Sequence, residues 1–457
     1  MTMRRGIGKF LLLFLCASLF LSVFTGCGLS PKEENHLTLY VDDSTKGYYS
    51  GLLGMYRYEN PEVEVELVEL TGLTPEEAAT KVSADIMAGK GPDVFLVSPS
   101  FMENNDVTRL MAAGTFLDLQ PLLDQDEDFP LELYDETILD AVKYRDSLYL
   151  FPISYNTPLL LAEEKDIENS GIELGKLKDF GGLVEEAETY LKQPVSEENP
   201  LFNAANSLNN FLYYLGLELI DYENKKVSLD TPEFRQACEF YQKLYRQESQ
   251  PRKDVAEPDY YRAYQQDSRG IFESYCWQGT GKTSITLISS ASLIAEYGQP
   301  VVVPLAGYDG KSHPEILLSC GIRRNTKSKE AAYKLVKHMV SINQLNRKDN
   351  LYFLNPIKES EKSFYGPYFE NGKFTGELAV RNPQGESEIL SENLYGSLSE
   401  EFFEDYSKTL AAHGEGFYRT PAMEKLYEYM EPYFKGEKSF EECRDTAQAQ
   451  LSIYISE

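Results

Sequence analysis

The sequence predicts an α/β protein built in two parts, with a first domain that the chain leaves and later re-enters. Three observations carry that expectation. Residues 37–97 read strand, helix, strand, helix, strand, an alternation that puts parallel strands in one layer with helices against it. From about Lys165 the pattern turns helical, near 181–193, 201–219 and 231–247. Strand signals then return at 284–289, 300–304 and 316–322, so a second α/β episode supplies the missing part of the first domain.

Each element has a local reason. Leu37 to Val41 is an apolar strand; Asp42, Asp43 and Ser44 follow in capping position, and an amphipathic stretch runs to Tyr58 before Asn60-Pro61 stops it. Residues 62–68 alternate with period two, which puts Val63, Val65 and Leu67 on one face. In the next helix Thr74 caps, Pro75 fits the first turn, Glu77 completes a capping box and Gly89 closes the end; Ala79, Val82 and Ile86 form its inner face. Residues 91–97 form a short apolar strand, and 144–156 read as two short strands around an Asp-Ser turn. Asn325 to Met339 is a helix with Ala331, Leu335 and Met339 on one side. The stretch beyond about Asn350 is aromatic-rich and largely helical.

Composition narrows the function. The chain has 457 residues, 42% hydrophobic and 12% aromatic, which excludes disorder. Its formal net charge is -29. A chain so acidic repels nucleic acid and anionic lipid headgroups, so neither is a partner through a basic face. Cys238, Cys276, Cys320 and Cys443 are far apart in sequence and show no CxxC spacing, which argues for buried thiols and against zinc.

The first 27 residues read as an export signal. Arg4, Arg5 and Lys9 precede the apolar run from Phe10 to Leu21, which gives way to Phe24-Thr-Gly-Cys27. The run is short of the roughly 20 apolar residues of a confident bilayer span. The ending resembles a bacterial lipoprotein processing site, which implies cleavage after residue 26, lipid on Cys27, and a tether over 27–36. An uncleaved membrane anchor is the alternative. Losing residues 1–26 removes three cations and no acid, so -29 becomes -32. Attachment at the outer face of the cell membrane then rests on the lipid alone.

Taken in order, several stretches resemble the extracellular solute-binding proteins of ABC importers, family 1, the group that includes maltose-binding proteins. They are Ala88-Gly-Lys-Gly-Pro-Asp-Val94, Ala113-Gly-Thr-Phe-Leu-Asp-Leu119, the stretch from Tyr144 to Pro152, the stretch from Ile220 to Phe234, and the stretch from Gly321 to Ala332. The resemblance runs from 37 to about 345. It implies a two-lobed type II periplasmic-binding-protein fold, with discontinuous lobes joined by a hinge and a ligand cleft between them. Lobe one would comprise 37–150 and 299–345, and lobe two 151–298 and 346–457. The implied function is that of a monomeric receptor that takes an oligosaccharide and delivers it to a membrane permease, with no cofactor and no chemistry of its own.

Other constellations fall short. Gly279-Thr-Gly-Lys282 lacks the glycine a phosphate loop needs at 276, where Cys276 stands. The acids from Asp124 to Asp128 resemble a calcium loop, but Phe129 occupies the position of the sharp bend. With 73 acidic residues, carboxylate pairs are too abundant to single out a glycosidase. A secreted glycoside hydrolase and a surface adhesin are the readings from other classes. For the cleft, the candidates are Asp42, Asp43 and Ser98, which follow strands, Tyr155 and Asn156, which follow the expected lobe crossing, and Tyr275 and Trp277, the single tryptophan, from the second lobe. Carboxylates and amides pair with sugar hydroxyls, and flat rings cover the apolar face of a pyranose. Asp42 and Asp43 also suit a helix cap, and Asp93, which precedes a buried strand, reads as structural.

Overall fold

The structure, a computed structural model, describes residues 34–42, 45–197, 199–202, 211–248, 270–274, 287–288, 290–291, 294–295, 298–346, 354–360, 369–370, 373–374, 378–381, 387–391, 398–411 and 413–456. Its ten main strands are β1 (His36–Val41), β2 (Glu64–Glu69), β3 (Val94–Val97), β4 (Leu150–Asn156), β5 (Leu159–Glu163), β6 (Ile220–Asp221), β7 (Lys226–Val227), β8 (Glu273–Ser274), β9 (Pro300–Pro304) and β10 (Glu315–Ile322). Two small hairpins follow, Phe369–Phe374 and Leu378–Ser391.

The first domain grows from β1. β1 and β2 pair in parallel, His36 opposite Glu64 and Val41 opposite Glu69. The helix Lys46–Glu59 between them buries Tyr49, Leu52, Leu53 and Tyr56. Asp93 joins β1 to β3: the Asp93 amide donates to the Thr38 carbonyl (2.7 Å) and the Thr38 amide donates to Asp93 Oδ2 (2.9 Å). The helix Pro75–Met87 has the expected capping box, with Thr74 accepting from the Glu77 amide and Glu77 accepting from the Thr74 amide. Parallel order ends at β3, because β10 lies between β3 and β4 and runs antiparallel to both. The reason is directional: the chain re-enters from the second domain at the carboxyl end of β4, where Glu315 pairs with Asn156, so it must run back along the sheet.

Local expectations fail at several places. Leu67 is 39% exposed where alternation put it inside, because β2 is a sheet edge paired only with β1 among the described residues. Within 201–219 the described part is a single 3-10 turn, Phe211–Tyr214, which leads into β6; Phe211, Leu212, Tyr213 and Tyr214 are all buried, so the segment lacks the polar face of a surface helix. Leu287 and Ile288 are helical, not extended, and pack in the first core. A short apolar run does not by itself distinguish a buried strand from a buried helix.

There are two hydrophobic cores. The first gathers Leu37, Leu39, Val97, Phe151, Ile316 and Leu335; the second gathers Phe180, Phe211, Phe240, Leu426 and Leu451. β5 serves both. Leu159 and Leu161 face the first core and Leu160 and Ala162 the second, as period two requires of a strand buried on both sides. β5 pairs antiparallel with β8 and β9 in the second domain's sheet. The helices Pro232–Glu248, Pro421–Phe434 and Phe440–Ser456 pack in the second core, whereas Glu400–Leu410 puts Phe402, Tyr406 and Leu410 into the first.

The chain crosses between the domains at 157–158, 305–314 and 411–420. The second and third crossings run side by side, with parallel bridges Ser312 to His413 and Glu315 to Phe417. Glu315 is 1% exposed at this junction, and its Oε1 accepts from Arg419 Nε at 2.6 Å. Burial pushes the Glu315 carboxyl up to about 7 despite the opposing pull of the Arg419 charge.

Two tests follow from this packing. Asp93→Ala leaves the Arg323 guanidinium, which bonds Asp93 Oδ1 at 2.6 Å with only 14% of its side chain exposed, without its carboxylate, and removes the side-chain half of the β1–β3 link. Urea denaturation should show a loss of about 3 kcal/mol. Arg419→Met should also cost about 3 kcal/mol at pH 8, where the variant must bury an unpaired carboxylate or keep it protonated. A raised folded pKa is a burden that grows as pH climbs above the unfolded value. The deficit against the wild type should therefore shrink at pH 5, where Glu315 is protonated in both.

Candidate binding site between the lobes

The strand ends converge on the crossing. In lobe one Asp42 follows β1, Ser98 follows β3 and Asn156 ends β4, each at the carboxyl end of its strand. In lobe two β8 runs antiparallel to β5, with Ser274 opposite Leu160, so its carboxyl end also points at the crossing. Open α/β sheets bind ligands outside such carboxyl ends, and domain junctions make natural pockets. Across the gap, the lobe-one helix Pro99–Asn104 lies against the lobe-two helix Pro421–Phe434.

Local chemistry holds these ends in place. Asp42 Oδ1 accepts from the Thr45 amide (2.8 Å) and the Thr45 hydroxyl (2.8 Å), and Asp42 Oδ2 accepts from Ser100 Oγ (3.2 Å). The carboxylate thus ties the β1 end to the helix that follows β3. Ser98 caps that helix, accepting from the Phe101 amide at 3.3 Å. Tyr155 is 4% exposed with its ring edge-on to His413, 5.7 Å between centroids, and Asn156 is 3% exposed.

A cavity of about 310 Å³ lies between the lobes beside the crossing strands, lined by Thr108 and Met111 of lobe one, Tyr213 and Tyr222 of lobe two, and Phe417 and Thr420 of the third crossing. Its aromatic wall is ordered: Tyr213 stacks on Phe417 at 4.9 Å and its hydroxyl donates to Glu424 at 3.2 Å. Polar contacts span the lobes around it. Tyr144 and Ser147 pair across a two-residue turn whose central residues have positive φ, Arg145 at 48° and Asp146 at 66°, as a type I′ turn requires. The turn therefore centres one residue earlier than expected, and it aims Arg145 at Glu218 (2.9 Å), Glu223 (3.2 Å) and Asp221 (3.3 Å). Nearby, the Tyr222 hydroxyl donates to Asp106 Oδ2 at 2.6 Å. Burial raises the Asp106 carboxyl, against the pull of the Tyr222 bond.

Of the expected site residues, the structure brings Asp42, Ser98, Tyr155 and Asn156 to one edge of lobe one: Ser98 caps a helix, Asp42 braces the turn before one through Thr45, and Tyr155 and Asn156 end β4, before the crossing and not after it as expected. Asp43, Tyr275, Trp277 and the lipidation residue Cys27 lie outside the described residues. Asp93 is structural, as read. Sequence reasoning passed over Arg145, Tyr213, Tyr222 and Thr420. Only the turn chemistry at 144–147 signalled any of them, because the others meet through pairings between segments more than 100 residues apart. Among the described residues no group of three His, Cys, Asp or Glu side chains could hold a metal ion, and no helix is long and apolar enough to cross a membrane.

Comparison with known proteins agrees with this architecture. The family model described as bacterial extracellular solute-binding protein matches residues 56–362. No curated protein matches the sequence. Among solved structures, the sugar-binding protein MalE from Xanthomonas citri superposes with a TM-score of 0.58 at 14% identity, covering 92% of this chain and 97% of that one. An extracellular solute-binding protein family 1 structure from Alicyclobacillus acidocaldarius gives 0.54 at 12% identity, covering 92% and 98%. The ABC transporter associated binding protein from B. animalis subsp. lactis, in complex with beta-1,6-galactobiose, gives 0.50 at 15% identity, again covering 92% and 98%. With more than half of its length matched by the family model and two α/β lobes meeting at a crossing, the chain belongs to the bacterial extracellular solute-binding proteins.

Proposed function

We propose that this protein is a lipid-anchored receptor that binds an oligosaccharide between its lobes and delivers it to an ABC permease, as a monomer and without chemistry of its own. The observation that carries the reading is the convergence of four strand ends, at Asp42, Ser98, Asn156 and Ser274, on the crossing between the lobes. Lobe one then runs through β4 to Asn156 and resumes at β10, and lobe two holds β5, β8 and β9, so the expected bounds of 37–150 plus 299–345 and 151–298 plus 346–457 shift at their edges; Glu400–Leu410 packs against β9. The sugar class is supported by the X. citri protein, named as sugar-binding, and by the galactobiose held in the B. animalis structure. Aromatic supply supports it too, with 32 tyrosines and 24 phenylalanines in the chain. Binding between hinged lobes gains contacts only in the closed form, so ligand shifts the population toward closure.

A thermal-shift screen against oligosaccharides, polyamines and peptides tests the ligand class. A stabilising oligosaccharide recovered unchanged supports the receptor, released monosaccharide would favour a glycoside hydrolase, and no response to any solute would favour an adhesin. Trp277 comes three residues after β8 in sequence, and ring stacking on a sugar contributes on the order of 1 kcal/mol beyond area burial. Sugar binding should therefore shift its emission, and Trp277→Ala should weaken affinity about tenfold with little change in thermal midpoint. Should the variant unfold instead, Trp277 belongs to the core. Cys27→Ser should leave the fold intact and send the protein from the membrane fraction to the medium, and retention on the membrane would overturn the lipid anchor.

A further inference from the structure

We propose that His413 is a positioning residue of the hinge: its neutral imidazole ties the first crossing, through Thr157, to lobe one, through Thr137, and protonation of the ring loosens the lobes. The inference uses only the two lobes and their crossing, and it does not depend on which solute is bound.

His413 stands where the crossings meet. Its backbone bridges Ser312 of the second crossing, and the Gly414 amide donates to the Ser312 carbonyl at 2.7 Å. Two residues on, the Gly416 amide donates to the Ala141 carbonyl of lobe one at 2.7 Å. The side chain completes the connection: Nε2 lies 3.1 Å from Thr157 Oγ1 and Nδ1 lies 3.2 Å from Thr137 Oγ1. One ring therefore links the first and third crossings to the helix Glu136–Ala141 of lobe one.

Proton counting gives these bonds a direction. A threonine hydroxyl has one proton, and that of Thr137 goes to Asp135 Oδ1 at 2.8 Å. Thr137 must then accept from His413 Nδ1–H, which leaves the Nε2 lone pair to accept from the Thr157 hydroxyl. The chain runs Thr157 to His413 to Thr137 to Asp135, and it requires the neutral ring with its proton on Nδ1. A second proton, on Nε2, would reverse the Thr157 bond and turn that hydroxyl proton away from its partner in a site where Thr157 is 2% exposed.

The surroundings set the balance. Burial disfavours the charged ring, Asp135 beyond Thr137 favours it, and His313 on the second crossing opposes it, so His413 is held down to about 4. His313 is engaged separately, with Nε2 3.0 Å from Asp309 and Nδ1 2.7 Å from the Glu415 carbonyl. The Tyr155 ring packs edge-on, and Lys311 packs at Gly414. For a base whose folded pKa is depressed, the stabilisation is complete above the unfolded value near 6.5 and is lost as pH falls toward 4. The hinge should be firm at neutral pH and loose in acid.

The test uses the mature chain without solute. His413→Gln presents an amide N–H and a carbonyl to the two threonines but does not titrate, whereas His413→Phe fills the space and bonds neither. Thermal midpoint and small-angle scattering radius are followed from pH 7.5 to 4. Glu315 titrates in every variant, so the difference between wild type and His413→Gln is what reads His413. The wild type should lose about 5 °C more than His413→Gln over this range and expand more. His413→Phe should be destabilised already at pH 7.5. A His413→Gln profile that follows the wild type down to pH 4 would overturn the proposal. Should His413→Gln fail to fold, the ring C2 proton of wild-type His413, read by NMR, decides: a midpoint near 4 supports the neutral link and one near 6.5 overturns it.

Discussion

The pairing of Glu315 with Arg419 sits where β10, the third crossing and the end of β4 meet, and the two-lobed arrangement depends on it. Glu315 begins the strand that returns to lobe one, its backbone pairs with Asn156 on one side and Phe417 on the other, and its carboxylate faces a guanidinium from the segment that leads into the helix Pro421–Phe434. Burying two charges costs several kcal/mol per ion unless geometry and hydrogen bonds offset it. A 2.6 Å contact supplies that geometry only while the two segments keep their register, so the pair penalises any slip between the strands. It contributes less to net stability than to the choice of one arrangement.

Asp93 performs a parallel task inside lobe one. Its carboxylate accepts from the Thr38 amide, Arg323 and Thr326, so one side chain joins β1, β3 and the segment after β10. The ionic contacts across the lobes are of a different kind. Arg145 and its partners Glu218 and Glu223 keep 46%, 58% and 63% of their side chains exposed, so water and salt screen them and each pair contributes little. Such contacts suit a junction that has to part when the lobes move. The buried contacts at Glu315 and Asp93 suit elements that stay together.

A binding cleft built this way takes its shape from strand ends rather than from a dedicated loop. Asp42 and Ser98 sit at those ends because strands β1 and β3 give way to helices there, and both side chains satisfy the first turns of the helices that follow.

How much was legible in the sequence follows from range. Capping and periodicity act over a few residues, and they marked β1, the capping box at Thr74 and Glu77, and the helix Lys329–Met339 with Ala331 and Leu335 inside. Order and spacing of the longer stretches carried the family and the two-lobed fold. The sequence also placed Asp42 and Ser98 after strands, which put them at the right edge of lobe one. Only the tertiary structure decided the rest. The antiparallel run of β10, the exposure of Leu67 on an edge strand and the helical state of Leu287 depend on neighbours that no local pattern contains. Glu315 and Arg419 are 104 residues apart, Tyr222 and Asp106 are 116 apart, and Thr157 and His413 are 256 apart. Each is an ordinary polar residue until the crossing strands bring it to its partner, because burial and pairing are properties of the folded junction and not of the residue that enters it.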